Sequence, residues 1–364
     1  MDTKNSKQVI LAHDSFTHFG GAERVANAFH EIYPASPMYT LAVDPKISKS
    51  YPDIQFKTSF IQYLYNLVPK LQLWFTIVPI ALRFLNIQPT KVILSSSSAY
   101  MKGLRKPKGS VHINYCHTPT RFLWNDYIYA ENEVAKPLRH LARLYFAWLR
   151  RWDLRAVRGV DHFIANSKEV QSRIKTFYNR DSTVIYPFVD TAYWQPSSAK
   201  QDYYLIAGRV TPYKGYDTIV KIFNDNGLPL HLVGDGRYLS YLKSIARSNV
   251  TFFGKVPDDE LRNQYSSAKA FIYPQIEDFG LMPLEAASCG TPTIALAKAG
   301  SLETVDHGVS GFLIEEFNTQ TFGDSLKQMA QINFTQETMR LHAEKFSKQR
   351  FLDEIKSFVD NHPV

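Results

Sequence analysis

The sequence predicts an α/β protein of two consecutive domains, each a parallel sheet covered by helices. Three observations lead there. Short apolar runs alternate with amphipathic stretches of helical period along most of the chain. That alternation starts at residues 8–13 (QVILAH) and starts again at 203–207 (YYLIA), after a Pro-, Ser- and Lys-containing connection that runs to Gln201. Several apolar runs end in glycine, proline or charged residues, the place where open parallel sheets bind ligands. With 364 residues and 45% hydrophobic content, the chain is long enough for two cores and is of globular composition.

Charge is unevenly spread. The net charge is +8, but residues 1–180 carry 25 Lys and Arg against 12 Asp and Glu, whereas 181–364 carry 17 against 22. A basic first half attracts an anionic partner: nucleic acid, a phospholipid surface or a phosphorylated acceptor. Composition leaves the three open. Cys116 and Cys289 make no disulfide framework, which suits a reducing cytosol, and neither has partners at metal-ligand spacing. Residues 9–12 are too short a run for a secretory signal. Residues 71–82, broken by Gln72, Thr76 and Pro79, are too short to cross a bilayer.

In the first domain, the strand at 8–13 leads into DSFTHFGGAER and a helix over 25–32. Gly20 and Gly21 supply a tight turn and close backbone approach at a helix start; a glycine pair alone is most often only a turn. Residues 58–85, rich in Tyr, Leu, Phe, Trp and Ile around Lys70 and Arg83, read equally as core helices or as an amphipathic segment at a membrane interface. A strand at 91–97 precedes a small exposed basic cluster, Lys102, Arg105, Lys106 and Lys108. The strand at 111–116 ends at His117, followed by Thr118-Pro119; a histidine at a strand end is more often structural than catalytic. Residues 136–158 are helical in period, with arginines interleaved among leucines and aromatics. No nucleic-acid module accompanies them, so a solvated helical face turned to water or lipid is the better reading. A strand at 160–165 and a helix capped from Asn166-Ser167 follow, and residues 184–190 close the domain.

In the second domain, the strand at 203–207 runs into Gly208-Arg209 and on to Lys214-Gly215. A planar guanidinium and a compact ammonium together suit a diphosphate. The strand at 230–233 ends at Gly234. Residues 270–274 form a buried strand, followed by Glu277-Asp278-Phe279-Gly280-Leu281 and a helix from Pro283 to Cys289 that Gly290 stops. Glu277 and Glu285 therefore flank a strand-to-helix loop whose free N–H groups can hold an anion. Taken singly, Glu277 is a solvated loop charge and Glu285 an exposed first-turn residue; the ordered pattern favours a site.

The Glu277–Glu285 spacing, followed by a Gly-Thr-Pro strand start, resembles the E-x7-E signature of retaining nucleotide-sugar glycosyltransferases of family 4, and 208–215 resembles their G-R-x-x-x-x-K-G phosphate clamp. The H-D…G-G-A-E-R loop and the C-H-T-P strand end resemble bacterial O-antigen mannosyltransferases of the WbaZ type, across nearly the whole chain. Ser15-Phe16, Thr120 and Asn125 depart from that pattern, all on the acceptor side. The resemblance implies the GT-B architecture, two facing Rossmann-like domains with a deep cleft, at 1–187 and 188–345, with a helix over about 346–364 returning to the first domain. It implies transfer of mannose from GDP-mannose to a polyprenyl-diphosphate-linked oligosaccharide in surface polysaccharide synthesis. No metal or other cofactor is expected to take part, and the expected location is cytoplasmic, peripheral at the inner face of an anionic membrane. Arg209, Lys214, Glu277 and His117 are the catalytic candidates. Gly20, Gly21, Gly208, Gly234, Phe279, Gly280, Leu281 and Glu285 are the candidates for substrate binding. Rival readings are a UDP-sugar transferase, a nucleotide-sugar epimerase, a glycoside hydrolase with paired glutamates, and a nucleic-acid-binding protein.

Overall fold

The computed structural model describes residues 8–125, 127, 131 and 134–362. The chain divides into two units, Met1–Tyr186 with Leu352–Val364, and Pro187–Phe351.

In the first unit seven parallel strands form one sheet: β1 (Val9–His13), β2 (Met38–Thr40), β3 (Phe56–Thr58), β4 (Val92–Ser97), β5 (Val111–Cys116), β6 (His162–Ala165) and β7 (Ser182–Val184). Their order is β3-β2-β1-β4-β5-β6-β7. β1 and β4 are buried along their whole length, as strands covered on both faces are, and this explains the apolar runs 9–12 and 92–94 with which they open. The strands β2 and β3 carry no comparable run and were not expected from sequence. The helix after β1 begins at Gly21 and runs to Ile32, starting earlier than expected because Gly20 is its extended cap.

The ladder ends at Val184, and Pro187 lacks the N–H that extension would need. Residues 58–85 are helical: Ile61–Leu67, a 3-10 turn over Leu71–Ile77, and Val78–Phe84. Ile61, Tyr65, Val78, Ala81 and Leu82 enter a core with Ile10, Ile93 and Met101. The other face leaves Tyr63, Leu67, Leu73, Ile80 and Phe84 exposed. The helix Arg139–Val157 likewise buries Leu149, Asp153 and Val157 while Leu141, Leu144 and Trp148 are exposed. Tyr145 donates to the Phe75 carbonyl at 3.4 Å, so the two segments meet.

The expected exposed basic cluster is corrected at its first member. Lys102 is 1% exposed and lies 3.1 Å from the fully buried Asp153. Asp153 also accepts hydrogen bonds from Thr120, Trp124 and Tyr178. A buried charge persists only when it is paired and hydrogen-bonded in this way. Lys106 is bound to Asp161, and Arg105 and Lys108 are the exposed members.

In the second unit six parallel strands, β8 (Tyr204–Ala207), β9 (Leu230–Val233), β10 (Val250–Gly254), β11 (Phe271–Tyr273), β12 (Thr293–Leu296) and β13 (Gly311–Ile314), take the order β10-β9-β8-β11-β12-β13. Leu205, Ile206, Phe271 and Ile272 are fully buried at its centre. The helix Lys348–Asn361 starts in this unit and ends in the first, where Phe358 and His362 pack against His162. Among the described residues no helix is long and apolar enough to cross a membrane.

Candidate active site

Each sheet reverses its strand order once, between β1 and β4 in the first unit and between β8 and β11 in the second. In open parallel sheets the crevice outside the carboxyl ends at such a reversal is where ligands bind. Nearly all the sequence-derived site residues fall at these two places.

In the second unit, β8 runs straight into Gly208 and β9 into Gly234. Gly234 turns at φ 138°, and a Cβ there would lie 1.9 Å from the Gly208 carbonyl oxygen. The two backbones approach too closely for any side chain, so Gly234 shapes the loop that carries Arg209. Arg209 is exposed and has no ion pair among the described residues. Lys214 ends a 3-10 turn, Pro212–Lys214, and its Nζ lies 2.6 Å from Glu277 Oε1. The other carboxylate oxygen, Oε2, accepts a 2.9 Å hydrogen bond from the hydroxyl of Tyr273, the last residue of β11. Burial and then the Glu277 carboxylate hold the Tyr273 phenol well above its usual range, so it stays protonated and donates. Glu277 is therefore no solvated loop charge: both of its oxygens are held.

The helix after this loop is Leu281–Ser288, two residues earlier than expected, because Gly280 at φ 84° turns the chain into it. A Cβ on Gly280 would meet the Tyr273 hydroxyl at 2.8 Å, so this glycine also keeps room for the Tyr273–Glu277 contact. Phe279 is buried with its ring against Phe346 and its backbone against Gly300, where a Cβ would stand 2.2 Å from the Phe279 carbonyl oxygen. Leu281 is half-buried at the helix start. Glu285 is 7% exposed, with the buried Tyr265 hydroxyl 3.5 Å from its Oε2; the exposed first-turn reading is corrected. Gly290 turns the chain out of the helix at φ 74°, as a glycine beyond a helix end does.

In the first unit, His13 ends β1, Ser96 lies opposite it on β4, and His117 follows β5. Ser96 Oγ is 3.1 Å from His13 Nδ1 and 2.7 Å from His117 Nε2. Burial, then the neighbouring His13, pushes the His117 imidazole down to about 4. Asp14 is a staple: its carboxylate accepts from the backbone N–H groups of Ser98, Ala99, Tyr100 and Met101 and from the Ser97 hydroxyl. Gly20 caps the helix with Gly21 as its first residue, and Glu23 is buried in the first turn. A Cβ on Gly20 would sit 2.8 Å from Glu23 Oε2.

Sequence reading missed Tyr273, Ser96, His13 and Glu23 as parts of these constellations. The signal was present in position: Tyr273, His13 and Ser96 lie at or beside the ends of the strands that flank the two reversals.

The chain matches two family models end to end, Glycosyltransferase Family 4 over residues 19–193 and Glycosyl transferases group 1 over residues 194–348. A GDP-mannose-dependent alpha-(1-6)-phosphatidylinositol monomannoside mannosyltransferase of Mycobacterium tuberculosis is 28% identical over 47% of this chain and 53% of its own length. The O-antigen chain mannosyltransferase RfbU of Salmonella typhimurium is 29% identical over 43% of this chain and 47% of its own. The chain thus spans about half the length of the curated relatives it matches. The Anabaena protein HepE, solved with UDP, superposes with a TM-score of 0.73 at 17% identity, covering 98% of this chain and all of that one, and so shares the fold. Two family models that meet without a gap, on two sheets that each reverse at the same strand, place the chain in the group 1, family 4 glycosyltransferases.

Proposed function

We propose that the protein transfers mannose from GDP-mannose to a hydroxyl of a polyprenyl-diphosphate-linked oligosaccharide, with retention of configuration, in bacterial surface polysaccharide synthesis. The observation that carries the transferase reading is the Lys214–Glu277–Tyr273 contact at the carboxyl ends of β8 and β11, beside the Gly208 and Gly234 turns. A cation, a carboxylate and closely approached backbone at a strand-order reversal suit a sugar attached to a diphosphate.

In this reading Lys214 and Arg209 stabilise the charge that develops on the leaving diphosphate, without a metal. Glu277 orients the donor sugar and Glu285 the ribose. Gly20, Gly21 and His117 border the sugar and the acceptor, and the backbone of Phe279, Gly280 and Leu281 approaches sugar and phosphate. The bond from the anomeric carbon to the diphosphate oxygen breaks. The acceptor oxygen bonds the same carbon from the same face, and its proton passes to a donor phosphate oxygen. Mannose and GDP are favoured by the names of the M. tuberculosis and S. typhimurium relatives. A UDP-sugar donor is the second reading, favoured by the UDP bound to HepE. A glycosidase reading gives the Arg209–Lys214 pair no task, and a nucleotide-sugar epimerase, which would use the pair, is told apart by conversion of the donor without an acceptor.

The same reading places the protein on the cytoplasmic face of an anionic membrane, held by the exposed apolar side chains of residues 60–84 and 138–154 and the exposed Arg151, Arg155 and Arg158. Incubation with a panel of nucleotide sugars and a native lipid extract tests the reading. An α-mannosylated lipid product from GDP-mannose is expected; free sugar or epimerised donor without a glycosylated product would overturn it.

A further inference from the structure

We propose that Tyr265 and Tyr273 are a pair of positioning residues for the donor, each giving its phenolic hydrogen to Oε2 of one glutamate. Tyr265 sets Glu285 for the ribose, and Tyr273 sets Glu277 for the sugar. The ligand groups named here rest on the proposed function; all four side chains lie in the second unit.

Strand period places the two rings. Phe271 and Tyr273, the first and last residues of β11, share the face opposite Ile272, which enters the core with Ile206 and Ile294. The Tyr265 ring, from the helix Asp258–Ser267, meets Phe271 edge-on with centroids 5.2 Å apart. Phe271 in turn meets Tyr273 at 5.8 Å, and Trp194 packs edge-on against Tyr265 at 5.7 Å. Tyr265, Phe271 and Tyr273 are fully buried, so this packing fixes where each hydroxyl ends.

Each hydroxyl ends at a carboxylate. Tyr273 donates to Glu277 Oε2 at 2.9 Å, and the Tyr265 hydroxyl lies 3.5 Å from Glu285 Oε2. A carboxylate carries no hydrogen, so the phenol is the donor in both contacts. Burial, then the facing glutamate, holds both phenols well above their usual range, so both keep that hydrogen. These glutamates are the hydrogen-bond partners of the two hydroxyls among the described residues. A carboxylate as buried as Glu285, 7% exposed, needs such a donor in turn.

The backbone reserves the place of one of these hydroxyls. Gly280 turns the chain into the helix that carries Glu285, and a Cβ there would stand 2.8 Å from the Tyr273 hydroxyl. A side chain at 280 would therefore push Tyr273 away from Glu277. Glu277 is held at both oxygens, Oε1 by Lys214 at 2.6 Å and Oε2 by Tyr273. An ammonium on a flexible stem is a point charge, whereas a phenol locked in the core sets the turn of the carboxylate plane. Both tyrosines are 0% exposed, so each acts on a ligand only through its glutamate.

The test measures Kd by calorimetry for GDP, 2′,3′-dideoxy-GDP and GDP-mannose, or for UDP, its dideoxy form and UDP-glucose where UDP binds the wild type more tightly. The ribose share is the Kd of the dideoxy form over that of the parent nucleotide. The sugar share is the Kd of the nucleotide over that of its nucleotide sugar. The wild type should have a ribose share of about tenfold or more. Tyr265→Phe keeps the ring against Phe271 and Trp194, and should cut the ribose share about fivefold while holding the sugar share within about twofold. Tyr273→Phe should do the reverse. In a Glu285→Ala background, Tyr265→Phe should change the ribose share no further, because it acts only through that carboxylate. Shares that move together in both variants overturn the pairing, and so do shares that stay at wild-type values or a further loss in the Glu285→Ala background. A wild type that binds the dideoxy form as tightly as its parent overturns the ribose assignment in the proposed function, and the Tyr265 half of the inference with it. The earlier outcomes strike the inference alone, so the two failures are read separately.

Discussion

Lys214 Nζ stands 2.6 Å from Glu277 Oε1, joining the turn after β8 to the loop after β11. The cation expected to meet a leaving diphosphate is thus paired with the carboxylate expected to meet the sugar. Lys214→Ala should lower turnover by about 10²–10³-fold, the usual cost of removing one group that stabilises developing charge. Arg209→Ala should lower turnover comparably and leave stability within about 0.5 kcal/mol, because Arg209 is exposed and has no internal ion pair among the described residues. Steady-state kinetics and urea unfolding check both. Near-normal turnover in the two folded variants would remove the clamp from the mechanism.

The pair Lys102–Asp153 should behave differently. Asp153 is wholly buried and gathers Lys102, Thr120, Trp124 and Tyr178. Asp153→Ala strands a buried ammonium and three donors, and should cost about 3–5 kcal/mol by urea unfolding. A loss below about 1 kcal/mol would show that water reaches this network.

Stability should fall on mild acidification. His112 and His117 are each pushed down to about 4, chiefly by burial, and His162 and His342 are shifted the same way. Between about pH 6.5 and 4 the unfolded chain binds protons on these rings that the folded chain refuses. The unfolded state therefore gains from each proton as pH drops, and the folded state loses stability across that window. Urea midpoints measured from pH 7 to pH 4.5 should decline, and less steeply in His112→Gln. A flat profile would mean that these rings are as open to protons in the folded state as in the unfolded one.

Membrane attachment should depend on both charge and apolar contact. The helix Arg139–Val157 exposes Leu141, Leu144 and Trp148 together with Arg151 and Arg155, and Arg158 follows it. Binding to vesicles rich in anionic lipid should weaken with salt, and by roughly 1 kcal/mol for each of Arg151→Glu, Arg155→Glu and Arg158→Glu. Lys102, buried in its ion pair, is not part of this surface. Equal sedimentation with neutral and anionic vesicles would defeat the electrostatic half of the idea.

What was legible in the sequence follows burial. β8, β11, the first four residues of β1 and the first three of β4 show as apolar runs because both faces are covered. The three-residue strands β2 and β3 lie toward the edge of their sheet, and β3 is half-buried at best, so neither shows a pattern. Gly208, Lys214, Glu277 and Gly280 could be singled out from the sequence because turns and charges at strand ends are local features. The partners Tyr273 for Glu277 and Ser96 for His117 were not, since a hydrogen bond across elements leaves no mark in residue spacing. Lys102 was misplaced for a related reason. A lysine among lysines reads as surface, and its partner Asp153 lies 51 residues on, on a helix whose sequence is dominated by arginine.

The donor is the sharpest remaining prediction. Glu277, the Phe279–Leu281 backbone and Glu285 point to a nucleotide sugar without naming its base, and no described side chain is assigned to a base. The preference for GDP-mannose is supported by the relatives named for mannosyl transfer, and a uridine nucleotide is its rival. A ligand that binds only the folded state raises its apparent stability in proportion to the logarithm of concentration over Kd, by about 2.7 kcal/mol at a hundredfold excess over Kd. GDP should therefore raise Tm more than UDP at equal concentration, and GDP-mannose should give an α-linked product where UDP-glucose gives none. Stronger protection by UDP, with transfer from a UDP-sugar, would reverse the donor assignment and leave the Lys214–Glu277 site standing. A β-linked product from the α-linked donor would cut deeper, because same-face attack at the anomeric carbon cannot produce it.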